Sequence, residues 1–182
     1  DCACSTIHSE PGVHGRVATE PSPALSILAN PPGTFRGRKL GVLMTDGVER
    51  QMLDALLTAA EDAGATVELI AATVGGARLA NGKRVAAHEK IDGAPSARYD
   101  AVAVLATEAG ARTLAGSLDA RRFLADACAH GKFVALSPAA RDLWFEAIAQ
   151  EPDEGVVTLD DTAAAARFLE ACKGLRFWAR LG

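Results

Sequence analysis

The side chains that could make or break a bond fall at the ends of short apolar runs. Lys39–Met44 leads into Thr45-Asp46-Gly47-Val48-Glu49, which offers two carboxylates, Asp46 and Glu49, for acid–base work or for orienting a base. Phe133-Val134-Ala135-Leu136 leads into Ser137-Pro138-Ala139-Ala140-Arg141. A nucleophile presented on a sharp strand-to-helix turn would sit there, and Ser137 is the one hydroxyl at that elbow. A serine needs a base within hydrogen-bond reach. His130 stands at the far end of the same run and His88 in or after a turn region, so neither is placed by spacing to serve Ser137. The competing readings are structural. A carboxylate after a strand is stabilised at a helix start, and a serine before proline suits a helix cap. His130 suits the carboxyl end of a helix, and Cys128 reads as a small buried residue.

Other chemistry is poorly provided for. Cys2 and Cys4 form a CxC in a polar stretch with His8 and His14, but no second Cys/His pair sits at ligand spacing, so no metal site is expected. Gly75-Gly76 precedes a hairpin rather than a helix, and Ala106-Thr107-Glu108-Ala109-Gly110 lacks repeated glycines, so neither is a dinucleotide or phosphate loop. The formal charge of −4, with both signs interspersed, argues against a nucleic-acid surface. No apolar run reaches the roughly 20 residues that span a bilayer, and no signal-like leader opens the chain, so a soluble cytoplasmic location is expected.

These residues must be positioned by regular elements, and the pattern becomes regular at Lys39. Apolar runs at Lys39–Met44, Thr66–Ala71, Ala101–Leu105, Phe133–Leu136 and Gly155–Leu159 read as strands. Helical spacing over Met52–Ala60, Leu118–Ala127, about Ala139–Ile148 and an alanine-rich stretch to Lys173 fills the gaps, with Asp160 or Asp161 as the last cap. Asn81-Gly82 between extended residues predicts a tight hairpin turn. Alternating strands and helices predict a three-layer flavodoxin-like α/β domain, a mostly parallel sheet with a small β-hairpin insertion. Ligands in such folds sit beyond the carboxyl ends of the strands. Residues 1–36, with Pro11, Pro21, Pro23, Pro31 and Pro32, read as a linker or tail, and 37–182 as the folded domain. The apolar piece Ala24–Leu28 suggests a connection to something upstream. Arg176-Phe177-Trp178-Ala179-Arg180 near the other end reads as a docking or interdomain segment.

Four stretches in order resemble the C-terminal domain of large-subunit haem catalases: Phe35–Leu43, Gly93–Val102, His130–Leu136 and Arg176–Arg180. That domain is itself similar to PfpI-type proteases and class I glutamine amidotransferases, which share the flavodoxin-like fold. The resemblance implies an acid after the first strand, matched by Glu49, and a cysteine at the elbow, where this chain has Ser137. It therefore implies a noncatalytic domain in which Glu49 and Ser137 are the only candidate catalytic positions, with no cofactor and no metal of its own. Haem, its distal His and Asn and its proximal Tyr belong to an upstream core; Tyr99, the single tyrosine here, lies in a segment matching the C-terminal domain. Implied partners are that core and the other subunits of a homo-oligomer, with no nucleic acid and no membrane. A free-standing PfpI-like hydrolase or glyoxalase-type enzyme and a chaperone-like protein are the alternatives.

Overall fold

A computed structural model describes residues 22–27 and 29–181. Contacts divide the chain into Asp1–Asn30 and Pro31–Gly182. In the first unit Pro23–Leu25 form a single 3-10 turn, the Asn30 amide donates to the Pro23 carbonyl at 2.8 Å, and Leu25 and Ile27 are exposed. Cys2, Cys4, His8 and His14 lie outside the described residues.

The second unit is a three-layer α/β domain, as the sequence pattern predicts. Its elements are β1 (Lys39–Met44), α1 (Arg50–Asp62), β2 (Thr66–Ala71), β3 (Ala77–Arg78), β4 (Arg84–Val85), β5 (Glu89–Lys90) and β6 (Ala101–Leu105). They continue with α2 (Glu108–Ala115), α3 (Leu118–Ala129), β7 (Val134–Leu136), α4 (Arg141–Ile148), β8 (Val156–Thr158) and α5 (Thr162–Cys172). Six strands pair in the order β5-β2-β1-β6-β7-β8, and every pairing in that sheet is parallel.

Period-two alternation divides the core between the two faces. Leu40, Val42 and Met44 of β1 join Ala101, Ala103 and Leu105 of β6 against α1 and α5, where Leu56, Phe168 and Cys172 are fully buried. Leu43, Val102, Val104 and Leu136 point the other way, into α2, α3 and α4, around Phe123 and Trp144. Phe35, ahead of β1, is buried in the first of these clusters and anchors the incoming chain there.

Three departures from the sequence reading have local causes. β5 was not expected, because two charged residues at a sheet edge carry no apolar signal; it pairs Ile70 with Glu89 and Ala71 with Lys90. The helix expected over Leu118–Ala127 is α3, started by the Ser117 hydroxyl accepting from Ala120 N–H, and α2 ahead of it, capped by the Thr107 hydroxyl, was not expected. The hairpin turn is looser than a two-residue Asn-Gly turn. Five residues, Leu79 to Lys83, connect Arg78 to Arg84, with Gly82 at φ +81°.

Candidate functional site

Ser137 has an ordinary extended backbone, φ −61° and ψ 151°, and its side chain caps nothing. The expected helix cap is therefore corrected: the hydroxyl reaches sideways to β6, donating to the Ala106 carbonyl at 2.9 Å and accepting from the Ala106 N–H at 2.9 Å. Both its hydrogen-bonding functions are spent on one residue of the neighbouring strand end, and no base stands among its partners. Ser137 therefore works as a clamp between β6 and β7. It lines a cleft of about 360 Å³ with Arg141, Glu151, Asp153 and Thr158, and Glu49 does not line that cleft. Ser137→Ala is expected to destabilise the domain by about 1–2 kcal/mol, measured by denaturant unfolding, through two lost backbone bonds.

The loop after β1 is built for structure in the same way. Glu49 is the exposed N-cap of α1 and makes no capping bond. Asp46, expected at the helix start, instead accepts from Arg78 N–H at 2.7 Å, while Gly47 N–H donates to the Arg78 carbonyl, so the loop is fastened to the hairpin. The crevice where the strand order switches, between β1 and β6, is a cleft of about 400 Å³ lined by Thr45, Asp46, Arg84, Thr107 and Gly110, several of them fastened to one another. Thr107 N–H donates to the Thr45 hydroxyl at 3.2 Å, and the Thr107 hydroxyl donates to the Asp46 carbonyl at 3.1 Å. A Cβ placed on Gly110 would stand 2.1 Å from Thr45 Oγ1, so only glycine lets α2 close on this loop.

The histidines and cysteines are likewise engaged or inert. His88 Nδ1 accepts from Leu69 N–H at 2.8 Å, and His130 Nδ1 faces the Asp126 carbonyl at 2.6 Å at the end of α3, as a helix-terminal histidine should. Cys128 is half-buried and Cys172 buried, and burial pushes both thiols up, away from the reactive thiolate.

Two polar clusters that no sequence pattern marks lie at the amino ends of the strands. Glu68 on β2 accepts from Lys39 Nζ at 2.7 Å and from the Tyr99 hydroxyl at 3.0 Å, and Lys39 holds its carboxyl below the usual range. Lys132 is 2% exposed, and its ammonium donates to the carbonyls of Ser96 and Tyr99 at 2.5 and 2.7 Å. Burial, with Arg176 adding to it, pushes Lys132 down to about 8, while Asp100 and Asp126 oppose the shift. A neutral amine has two N–H donors, enough for both carbonyls. The unfolded chain keeps this proton to about pH 10.4, so between the two values it binds more protons than the folded one and stability rises with pH. Wild type is therefore expected to gain about 1 kcal/mol over Lys132→Met between pH 7 and 9. Comparing the two proteins cancels the buried cysteines, and a constant difference would contradict the assignment.

The same geometry tests whether haem could sit here. Tyr99 is 2% exposed, its hydroxyl is committed to Glu68, and its ring packs edge-on to Phe123 at 6.2 Å. It has no free oxygen to offer an iron. Among the described residues there is also no cluster of three His, Cys, Asp or Glu that could hold a metal ion. Among the described residues, Tyr99 therefore does not fit the role of a haem ligand.

Fold and elbow together define the class. The chain has the DJ-1/ThiJ/PfpI-like architecture with a serine-proline elbow; Toxoplasma gondii DJ-1 superposes with a TM-score of 0.60 at 18% identity, covering 80% of this chain and 98% of that one. Within that architecture, residues 36–182 match the C-terminal domain found in long catalases, and the chain belongs to that family. Catalase C of Rhizobium meliloti is 46% identical over 173 residues, covering 94% of this chain and 24% of the catalase. Catalase HPII of Pseudomonas putida is 31% identical over 161 residues, 87% of this chain and 22% of that protein. The chain thus spans about a quarter of the length of the curated relatives it matches.

Proposed function

We propose that this chain is the accessory, noncatalytic C-terminal part of a long catalase. Residues 1–36 are its lead-in and 37–182 its folded domain. Haem and hydrogen peroxide dismutation reside in the preceding core, in a homo-oligomer of the cytoplasm, and this domain serves assembly, stability or the shaping of access to the haem. The observation that carries the reading is the Ser137 hydroxyl, bonded twice to Ala106 at the position where a PfpI-like enzyme needs a free nucleophile. Its membership of the long-catalase family supports the rest. No helix among the described residues is long and apolar enough to cross a membrane.

Neither Glu49 nor Ser137 is proposed to act on substrate, which gives a direct test. The purified chain mixed with haemin is expected to show no stoichiometric Soret complex and no peroxide turnover, and no amidase or glyoxalase activity that Ser137→Ala or Glu49→Gln removes. Turnover lost with either substitution would overturn the reading.

A further inference from the structure

Hairpin β3–β4 brings two positive charges together and gives them nothing to neutralise. Arg78 and Arg84 are partners in its register, so their side chains leave the same face with Cβ atoms about 5 Å apart, and like charges so placed repel. None of the ion pairs among the described residues includes Arg78, Lys83 or Arg84. Arg84 Nη1 donates to the Gly75 carbonyl at 3.3 Å, a bond that cancels no charge. The two arginines cannot drift apart, because the fold fixes the backbone beneath them. Arg78 N–H donates to Asp46 and its carbonyl accepts from Gly47 N–H, Ala80 N–H donates to the Val48 carbonyl, and a Cβ on Gly76 would run into the Val85 carbonyl. Two unpaired guanidiniums on a hairpin tied down from both sides are a preorganised seat for an anion.

The cleft beside them shows what the anion must carry. Arg84 forms one wall of the crevice at the carboxyl ends of β1 and β6, and the start of α2 forms another. At about 400 Å³ it lies near the lower end of ligand pockets, which run from about 300 to 1,000 Å³, and suits a single small molecule rather than a dinucleotide. Met44, Ala77 and Leu114 give it apolar surface for the body of that molecule. Asp46 lines it too. One Asp46 oxygen is spent on Arg78 N–H, while the other, like the Thr73 hydroxyl, has no hydrogen-bond partner among the described residues. A bare anion would meet the Asp46 carboxylate with repulsion, whereas a ligand with hydroxyls on its body would donate to it. Two guanidiniums match the dianion of a phosphate monoester better than a single carboxylate, and the arginine fork suits phosphate oxygens.

We propose that this crevice binds a small sugar phosphate, with Arg84 and its neighbour Arg78 on the phosphate and Asp46 on the sugar hydroxyls. Nothing in this site depends on the chain being the end of a long catalase.

Ribose 5-phosphate titrated into the purified chain at low salt, and followed by amide NMR, is expected to give saturable shifts at residues 73–76, Arg84 and residues 107–110. Arg84→Gln is expected to weaken binding by about tenfold or more, through the loss of charge-assisted bonds to phosphate. The same variant is expected to melt no lower than wild type, because removing one of two facing like charges relieves their repulsion. Should it fail to fold, Arg84→Lys keeps the charge but loses the fork, and is expected to bind several-fold more weakly. Ribose and inorganic phosphate, each titrated alone, are expected to bind about tenfold more weakly than the ester, since each leaves half of the polar groups without a partner. No saturable shift below about 10 mM ester, an affinity unchanged by substitution of Arg84, or inorganic phosphate bound as tightly as the ester would overturn the proposal.

Discussion

Gly41→Ala is expected to cost the domain about 3 kcal/mol, although it adds one methyl group to a strand. β1 lies at the centre of the sheet, and a Cβ on Gly41 would stand 2.6 Å from Tyr99 Cδ2 and 2.7 Å from Cγ. The ring cannot retreat, because its hydroxyl is held by Glu68 and its other side by Phe123. Overpacking of this kind is relieved only by moving the backbone or losing the ring. Tyr99→Leu, harmful alone, is therefore expected to be less harmful in the Gly41→Ala background, with a coupling of about 1–3 kcal/mol in a double-mutant cycle. Strict additivity would mean that the ring does not seal the sheet at Gly41. Tyr99 would then have to be reconsidered as a residue free for other work.

Arg180→Ala is expected to lose about 3 kcal/mol. The guanidinium is 10% exposed, pairs with Asp153 through Nε at 2.7 Å, donates to the Lys132 carbonyl, and lies 5.3 Å from the Phe177 ring. Truncation leaves a carboxylate and a carbonyl without their partner and frees residues 176–181 from β7. The pH dependence carries a sign. Arg180 is the main cause holding the Asp153 carboxyl below its ordinary range. Wild type therefore has this stabilisation in full above the unfolded carboxylate range and loses it as pH falls through the lower, folded value. Arg180→Ala has little of it to lose, so the gap between the two proteins is expected to narrow on going from pH 6 to pH 3. Thermal melts across that range measure it, and a gap independent of pH would remove Asp153 from the account.

Much of the fold was legible because burial on both faces leaves a strong mark. β6 and most of β1 are runs of aliphatic residues that need no context to be read, β2 closes on Leu69-Ile70-Ala71, and Gly64 and Gly131, at φ +66° and +62°, punctuate the helices before them. β5 was hidden because Glu89 and Lys90 are paired by position at an edge rather than by apolar character. α2 was hidden because Glu108–Ala115 buries only Ala111 and Leu114, too few apolar residues to mark a helical face. The elbow at Ser137 was found from sequence, but the use of its hydroxyl was not. A helix cap and a cross-strand clamp both ask for a short hydroxyl after a strand, and only the position of Ala106 decides between them. Lys132 was harder still. A lysine ahead of an apolar strand reads as solvated, and its burial follows from the turn at Ser96–Arg98 and from residues 176–180, which lie far from it in sequence.

On the proposed function, this domain supports a catalase without taking part in its chemistry. The most direct measurement compares the full-length polypeptide with one ending before residue 31, for peroxide turnover per haem at once and after graded heating. Equal initial turnover per haem is expected, with inactivation of the shortened protein several-fold faster. Initial turnover per haem that falls with the domain would contradict it, and so would inactivation rates that do not change.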